Sequence, residues 1–429
     1  MPFLTPPNWA GARWTMARSD RSRVPTSPTR ATTAPVDTGG MVAPPPADLD
    51  TMRRAARDAY AKGRLAEAEQ AQSAVLAMTQ AGGGQTADDV LFAGLILHAA
   101  RRGAEAVTVL RDALGRYPDN AELHENLAVL LLSAADVAGA IEASRTALAV
   151  GSDSPNVHDC LCEAYRRIGR TDLAVAAGRL ALEAKDRRFG AVAAVVAMPG
   201  GLPPAFNPGR PEKNVIAYTL WGNQPRYHVP LLENARIRAH LFPEWTIRIY
   251  HDQTVDPAAL ARFAAFGVQL RPMTLPPDVP AHRALLWRFE VIADPTVQRF
   301  LIRDADSLLT VKERVAVDAW LRSDRHFHAM RDWYSHTDLL LAGMWGGVGG
   351  ILPEPAAMLR AYTPWRVEND HFDQDLLSAV VWPAIRHNVL IHDSIFHPCL
   401  GSVAFPPFGA LPAGHHIGQN AFLHFSKTG

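Results

Sequence analysis

Two aspartates one residue apart close a short apolar run, Phe300-Leu301-Ile302-Arg303-Asp304-Ala305-Asp306-Ser307. In an extended strand residues i and i+2 point to the same face, so Asp304 and Asp306 would present their carboxylates together. Two hard oxygen ligands at the carboxyl end of a strand suit a Mg²⁺ or Mn²⁺ that also holds substrate phosphates. On that reading the chain is a metal-dependent enzyme acting on a diphosphate. The competing reading is a plain strand-end turn leading to a helix near Val311, so the surrounding elements must decide.

Those elements alternate. Strands are predicted at Asn214–Leu220, Trp245–Tyr250, Val268–Arg271, Val297–Ile302, His326–Met330 and Val389–Ile391, from short β-branched and aromatic runs. Between them, helical spacing predicts Tyr227–Leu241, Pro257–Phe266, Ala284–Ala293, Val311–Leu321 and Asp373–Val381. Strands alternating with helices imply a three-layer α/β sandwich with a mostly parallel sheet. Ligands of such sheets bind beyond the carboxyl ends of the strands. Asp252, Asp304, Arg331 and His392 all fall just past predicted strands. Arg283 and Arg288, on the helix before the aspartates, are candidates for pairing with phosphate or sugar, against the alternative of a solvated helix face. Arg331-Asp332 could hold sugar hydroxyls through bidentate bonds. Gly343–Gly350 carries five glycines in eight residues. It lacks the Lys-Ser/Thr ending of a P-loop and reads as a flexible wall. Trp345 within it would stack on a sugar or sit in the core.

The ordered series Thr219-Leu220-Trp221-Gly222, Ile249-Tyr250-His251-Asp252, Trp287-Arg288-Phe289, Arg303–Ser307, Met330-Arg331-Asp332, Gly343–Gly346 and Asp373-Gln374 resembles the nucleotide-sugar-dependent glycosyltransferases of the GT-A fold. The resemblance covers about residues 212–429 and is nearest to bacterial transferases that also carry helical repeats. It implies a hexosyl-type transferase using a UDP- or GDP-sugar, with Mn²⁺ or Mg²⁺ on Asp304 and Asp306. Thr219, Leu220 and Trp221 would pack on the nucleotide, and Asp252 would accept from its base or ribose. Asp373 and Gln374 would contact the donor sugar or the acceptor hydroxyl. A third metal ligand is expected near the C-terminus, where His392, His397 and His424 compete. His392-Asp393 follows a strand and is preferred. Lys427, in Leu423-His424-Phe425-Ser426-Lys427, matches a lysine that meets a diphosphate oxygen in related transferases.

The N-terminal half has a different texture. Residues 1–50 are rich in Pro, Thr, Gly and Arg and should form a disordered leader. Ala87–Asn120, Ala121–Ser154 and Pro155–Arg188 are three consecutive blocks of 34 residues, with alanines in phase at 106, 140 and 174 and at 113, 147 and 181. This resembles the tetratricopeptide repeat, and a degenerate unit around Tyr60, Gly63 and Ala68 precedes it. The resulting domains are a leader at 1–50, a repeat solenoid at 51–188, a Pro/Gly linker at 189–211 and the GT-A-like domain at 212–429. Solenoids bind polypeptides, so a protein partner or a protein or glycan acceptor is expected there.

Charge is balanced at 43 basic and 43 acidic residues, which argues against nucleic acid as a partner. No run approaches the roughly 20 apolar residues of a membrane span. Three cysteines without metal spacing fit a reducing, cytoplasmic setting. Two other functions compete. One is a non-catalytic repeat scaffold carrying a degenerate nucleotide-sugar-binding domain. The other is a haloacid-dehalogenase-like phosphatase, disfavoured by Arg303 and by the three α/β units upstream. Protein O-GlcNAc transferases also join repeats to a transferase, but their catalytic region needs two Rossmann domains, too many for residues 212–429.

Overall fold

The computed structural model describes residues 48–421 apart from 83, 278, 365–370, 410 and 413. The leader assigned to 1–50 therefore lies outside the described residues except at its end, where the Asp48 side chain caps the first helix at Thr51 N.

Eight antiparallel helices form the solenoid: α1 Leu49–Ala61, α2 Leu65–Gly82, α3 Ala87–Ala99, α4 Gly103–Leu114, α5 Ala121–Ser133, α6 Val137–Ala149, α7 Pro155–Arg167 and α8 Thr171–Gly190. The first helix of each 34-residue block starts where the block starts, and α1–α2 is the degenerate unit. The phased alanines are the reason the helices pack closely. Ala106, Ala113, Ala140, Ala147, Ala174 and Ala181 are all fully buried. A left-handed residue turns each pair, at Gly63, Arg101, Ala135 and Gly169. Side-chain caps from Thr86, Asn120 and Ser154 start α3, α5 and α7.

The C-terminal half is a seven-stranded mixed sheet. Its strands are β1 Asn214–Leu220, β2 Thr246–His251, β3 Gln269–Pro272, β4 Arg299–Arg303, β5 Phe327–Arg331, β6 Met344–Val348 and β7 Val389–Asp393, in the order β3-β2-β1-β4-β6-β5-β7. Only β6 runs antiparallel to its neighbours. Alternate residues of β1 feed the two faces: Val215 and Ala217 join one core, Ile216, Tyr218 and Leu220 the other. Helices α9 Pro225–Leu241, α10 Pro257–Ala265 and α11 Val311–Leu321 cover the second face. The first is covered by the segment Ala281–Ile292, together with α12 Pro355–Ala361, α13 Phe372–Leu376 and the turns that follow. Among the described residues no helix is long and apolar enough to cross a membrane.

Three expectations are corrected here. The stretch expected as a flexible glycine-rich wall is β6, wedged between β4 and β5. A Cβ at Gly346 would collide with the Phe300 carbonyl, and one at Gly347 with the Phe327 ring, so glycines are what let this strand fit. Trp345 consequently points into the core, fully buried with Phe289 and Phe300 edge-on at 5.8 and 5.3 Å, and cannot stack on a sugar. The α-helix expected over Ala284–Ala293 is instead a run of 3-10 turns over Ala281–Ile292, whose three-residue period stacks Leu286, Phe289 and Ile292 on the core.

The solenoid and the sheet are fastened together. Helix α8 runs two residues into the expected linker, where Phe189 enters the sheet core; beyond it Val196 and Met198 pack on that core and Phe206 stacks on Trp245. Arg386 and Trp382 bond to Asp186 of α8, each at 2.7 Å. Arg179 donates to the carbonyls of Phe396 and His397, and Gly178 gives the Phe396 ring its place.

Candidate functional site

The chain leaves β1 for β2 and β3 on one side and returns to β4 on the other. A crevice therefore opens beyond the carboxyl ends of β1 and β4, the switch point where open α/β sheets place their ligands. A cavity of about 780 Å³ occupies it. Thr219, Leu220 and Trp221 from the end of β1 line it together with Asp304 and Asp306.

The aspartates are not on a strand. β4 ends at Arg303, and Asp304–Ser307 form a turn in which Ser307 donates from N and Oγ to the Asp304 carbonyl at 3.3 and 3.0 Å. The turn, rather than strand pleating, aims both carboxylates at the cavity. Gly343 makes this possible, since a side chain there would overlap the Asp304 carboxylate.

Two arginines hold the pair. Arg288 is buried, donates to the Arg303 carbonyl at 2.9 Å and to Asp304, and reaches Asp373 Oδ2 at 2.8 Å. Its own backbone N–H donates to Thr219 Oγ1 at 3.0 Å, which ties the 3-10 segment to β1. Arg226, from the first turn of α9, donates to Asp306 Oδ2 at 3.0 Å. Burial, reinforced by the charge of Asp304, pushes the Asp306 carboxyl up from its ordinary range. Burial likewise raises Asp373 to about 6, with Arg288 opposing and Asp304 adding to the rise. Gln374 lines the cavity beside Asp373 and approaches His371 Nδ1 at 3.3 Å.

The donor set fits a hard divalent cation. Mg²⁺ is commonly held by one or two carboxylates, waters and substrate phosphates rather than by an all-protein cage. Two crowded carboxylates, one of them raised by burial and then by its neighbour's charge, are a site that a cation relieves. Among the described residues no cluster of three His, Cys, Asp or Glu side chains could hold a metal.

Other expected site residues lie elsewhere. His392 is not in the cavity: it is buried on β7, with Nδ1 2.9 Å from His328 Nε2 and its ring tilted on Phe405. Arg331 pairs with Asp393 at 3.1 Å below the surface. Asp332 is buried among Lys312, Ser394 Oγ at 2.5 Å and Ile417 N at 2.8 Å. Neither can meet a sugar hydroxyl without unfolding its network. Asp252 accepts from Thr254 N at 3.0 Å and shapes the loop whose Thr254 Oγ1 receives Gly222 N–H, outside the cavity lining. Arg283 lies over the Phe372 ring at 3.9 Å and also stays off the lining. His397 offers its carbonyl to Arg179 at 2.6 Å. His424 and Lys427 lie outside the described residues, although Ala421 N–H donates to the Asp306 carbonyl at 2.8 Å.

Residues the sequence reading missed complete the cavity. Arg226 carried a signal, because a basic residue in the first turn of the helix after β1 faces the switch point. Asn156, Asp159, Glu163 and Arg166 of α7 also line it, and no local pattern could have placed a repeat helix there.

The buried histidine pair gives a pH test. Burial lowers His392 to about 4 and, with His392 beside it, His328 well below its ordinary value. Both are neutral in the fold, whereas the unfolded chain binds protons near pH 6.5. Stability is thus fully present above pH 6.5 and is lost as pH falls toward 4. The His392 contribution alone is roughly 3 kcal/mol. Urea melts between pH 7 and 4.5 should show His392→Asn losing less stability on acidification than the parent chain; equal losses would contradict the buried neutral pair.

A model of the tetratricopeptide repeat family matches residues 97–161, and no curated protein matches the chain. Among solved structures, a mutant O-GlcNAc transferase of Thermobaculum terrenum is 20% identical with a TM-score of 0.38, over 59% of this chain and 45% of that one. The chain thus spans under half the length of that transferase. The MamA protein is 18% identical with a TM-score of 0.29, over 32% of this chain and 73% of its own. A thermophilic tetratricopeptide-repeat protein of Thermus thermophilus is 24% identical with a TM-score of 0.29, over 32% of this chain and 75% of its own. At these scores none of them bears on the chemistry of the sheet domain.

Proposed function

We propose that this chain is a metal-dependent glycosyltransferase that moves a sugar from a nucleoside-diphosphate sugar to an acceptor, with a GT-A-type sheet domain and helical repeats that recruit the acceptor or a partner protein. The observation that carries the reading is the convergence of Asp304, Asp306, Arg226, Arg288 and Thr219–Trp221 in one cavity at the switch point of the sheet. Its volume lies in the range of small-molecule sites, and a nucleotide sugar needs both cationic and stacking groups there.

In this reading Asp304 and Asp306 hold Mn²⁺ or Mg²⁺, which when bound offsets the negative charge gained by the departing nucleoside diphosphate. Trp221, packed edge-on against Trp287 at 6.5 Å, offers the nucleotide a wall. Arg288 fixes the carboxylate of Asp304 and, through the same guanidinium, the side chain of Asp373. Asp373 and Gln374 then face donor sugar or acceptor from beside the aspartate pair. The α7 residues make the solenoid part of the cavity wall, which is why an acceptor brought by the repeats would arrive at the reacting groups.

Calorimetric titration with a panel of UDP- and GDP-sugars, with and without Mn²⁺, tests this. The expected result is binding that requires the cation, followed by slow donor hydrolysis. Binding without turnover would favour the scaffold reading, and no binding in either condition would end both.

A further inference from the structure

The two cavity arginines are built differently. Arg288 is held through both terminal nitrogens, by Asp304, Asp373 and the Arg303 carbonyl, and is 3% exposed. Arg226 makes one ion pair among the described residues, Nη2 to Asp306 Oδ2 at 3.0 Å, and its side chain is 32% exposed. The Nε atoms of both arginines are buried without a hydrogen-bond partner, so the difference lies in the terminal nitrogens and in exposure. The Arg226 guanidinium lies over the Tyr227 ring, 4.6 Å from its centre, a surface on which it can slide without losing its apolar support. A fixed arginine and a loosely held one therefore face the same pair of carboxylates.

Resting on the reading of the cavity given above, we infer that Arg226 is a partner-switching positioning residue: it neutralises Asp306 before substrate binds and moves to the donor's diphosphate when a divalent cation takes that carboxylate. A guanidinium and a cation that both approach Asp306 Oδ2 repel each other, so the two compete for it. Displacement frees a planar fork of donors inside a cavity into which a diphosphate brings several acceptor oxygens. Such an exchange also orders events, because the cation alone must displace Arg226, whereas cation and diphosphate together give Arg226 a new partner. Lysine, a point charge, would serve the first role but not the second.

The inference is tested by two opposed readouts on the full chain. Mn²⁺ affinity is measured without nucleotide from the signal of free Mn²⁺ in electron paramagnetic resonance. UDP and GDP binding is then measured calorimetrically at saturating Mn²⁺. Arg226→Gln should bind Mn²⁺ on the order of tenfold more tightly, since a competing positive charge is gone. It should bind the nucleoside diphosphate on the order of tenfold more weakly. Arg226→Lys should leave Mn²⁺ affinity near that of the parent chain while nucleotide binding still falls. In an Asp306→Asn background the Mn²⁺ gain should vanish. If both affinities fall together, or neither moves in a parent chain that binds Mn²⁺ and UDP or GDP, the switch is wrong and the site reading stands. If the parent chain binds neither ion nor nucleotide, the site reading itself fails and the switch with it.

Discussion

Asp304→Asn and Asp306→Asn should each reduce metal-dependent hydrolysis of a bound UDP- or GDP-sugar by on the order of 10³-fold or more, while the melting temperature stays unchanged or rises. The two halves of this result come from the same physics. Each substitution keeps the shape of the side chain and removes an anionic oxygen, so the hard-cation site is lost without opening a cavity. Stability should not suffer, because the charge of Asp306 is a burden to the fold and Arg288 has other partners than Asp304. Asp306 is raised by burial and by Asp304, so its ionised form is disfavoured in place. Arg288 keeps Asp373 as a partner when Asp304 is neutral, and the Arg303 carbonyl as well. A site whose removal relieves the fold is the signature of a function-bearing cluster rather than a structural one. Turnover that persists in both variants would sink the metal assignment. A collapse of the melting temperature would instead make the pair a structural turn. Thermal scans and donor-hydrolysis assays on the same preparations separate these outcomes.

Legibility differed between the two halves for physical reasons. The solenoid repeats a local rule, small residues at fixed phase, so Ala106, Ala140 and Ala174 announced it without any knowledge of long-range contacts. The strand β6 broke local rules. Its Gly346 and Gly347 weaken strand propensity and make sense only beside Phe300 and Phe327, which the sequence places far away. The aspartates were legible as a pair facing one way, but the reason offered for their shared direction was strand pleating, and the turn stabilised by Ser307 is what sets it. His392 and Arg331 were drawn to the site by their position after strands. The ends of β5 and β7 stand on the far side of β6 from the switch point, and their polar groups bond to one another instead. Position after a strand is thus informative only when the order of the strands is known. The solenoid wall of the cavity was beyond reach for the same reason, since a contact between α7 and the loop after β5 has no local trace.

That wall depends on Lys185. This residue of α8 is nearly inaccessible to solvent, and its Nζ lies 2.9 Å from Asp159 of α7, 2.9 Å from Asp338 and 2.8 Å from the Thr337 carbonyl. Asp159, Thr337 and Asp338 all line the cavity. One buried cation therefore holds a repeat helix and the loop between β5 and β6 in the register that forms the site. Lys185→Met keeps the length of the side chain and its packing but takes away the charge. Removing one member of a buried ionic cluster typically costs about 3–5 kcal/mol, because the remaining charges stay in a poorly solvating place. Here the remainder is two carboxylates that the ammonium had drawn together. Urea melts should therefore show a loss of that size, and amide exchange should accelerate first around residues 333–342. Neutralising one of the two anions should return part of the loss, so Lys185→Met with Asp338→Asn should be more stable than Lys185→Met alone, a coupling expected only of groups in contact. Donor hydrolysis should fall less than transfer to an acceptor, since the aspartate turn rests on β4 and Arg288 while the α7 wall rests on Lys185. Unchanged stability in Lys185→Met would mean that the α8 contacts of Arg179 and Asp186 suffice to seat the solenoid, and that the cavity wall does not depend on this cation.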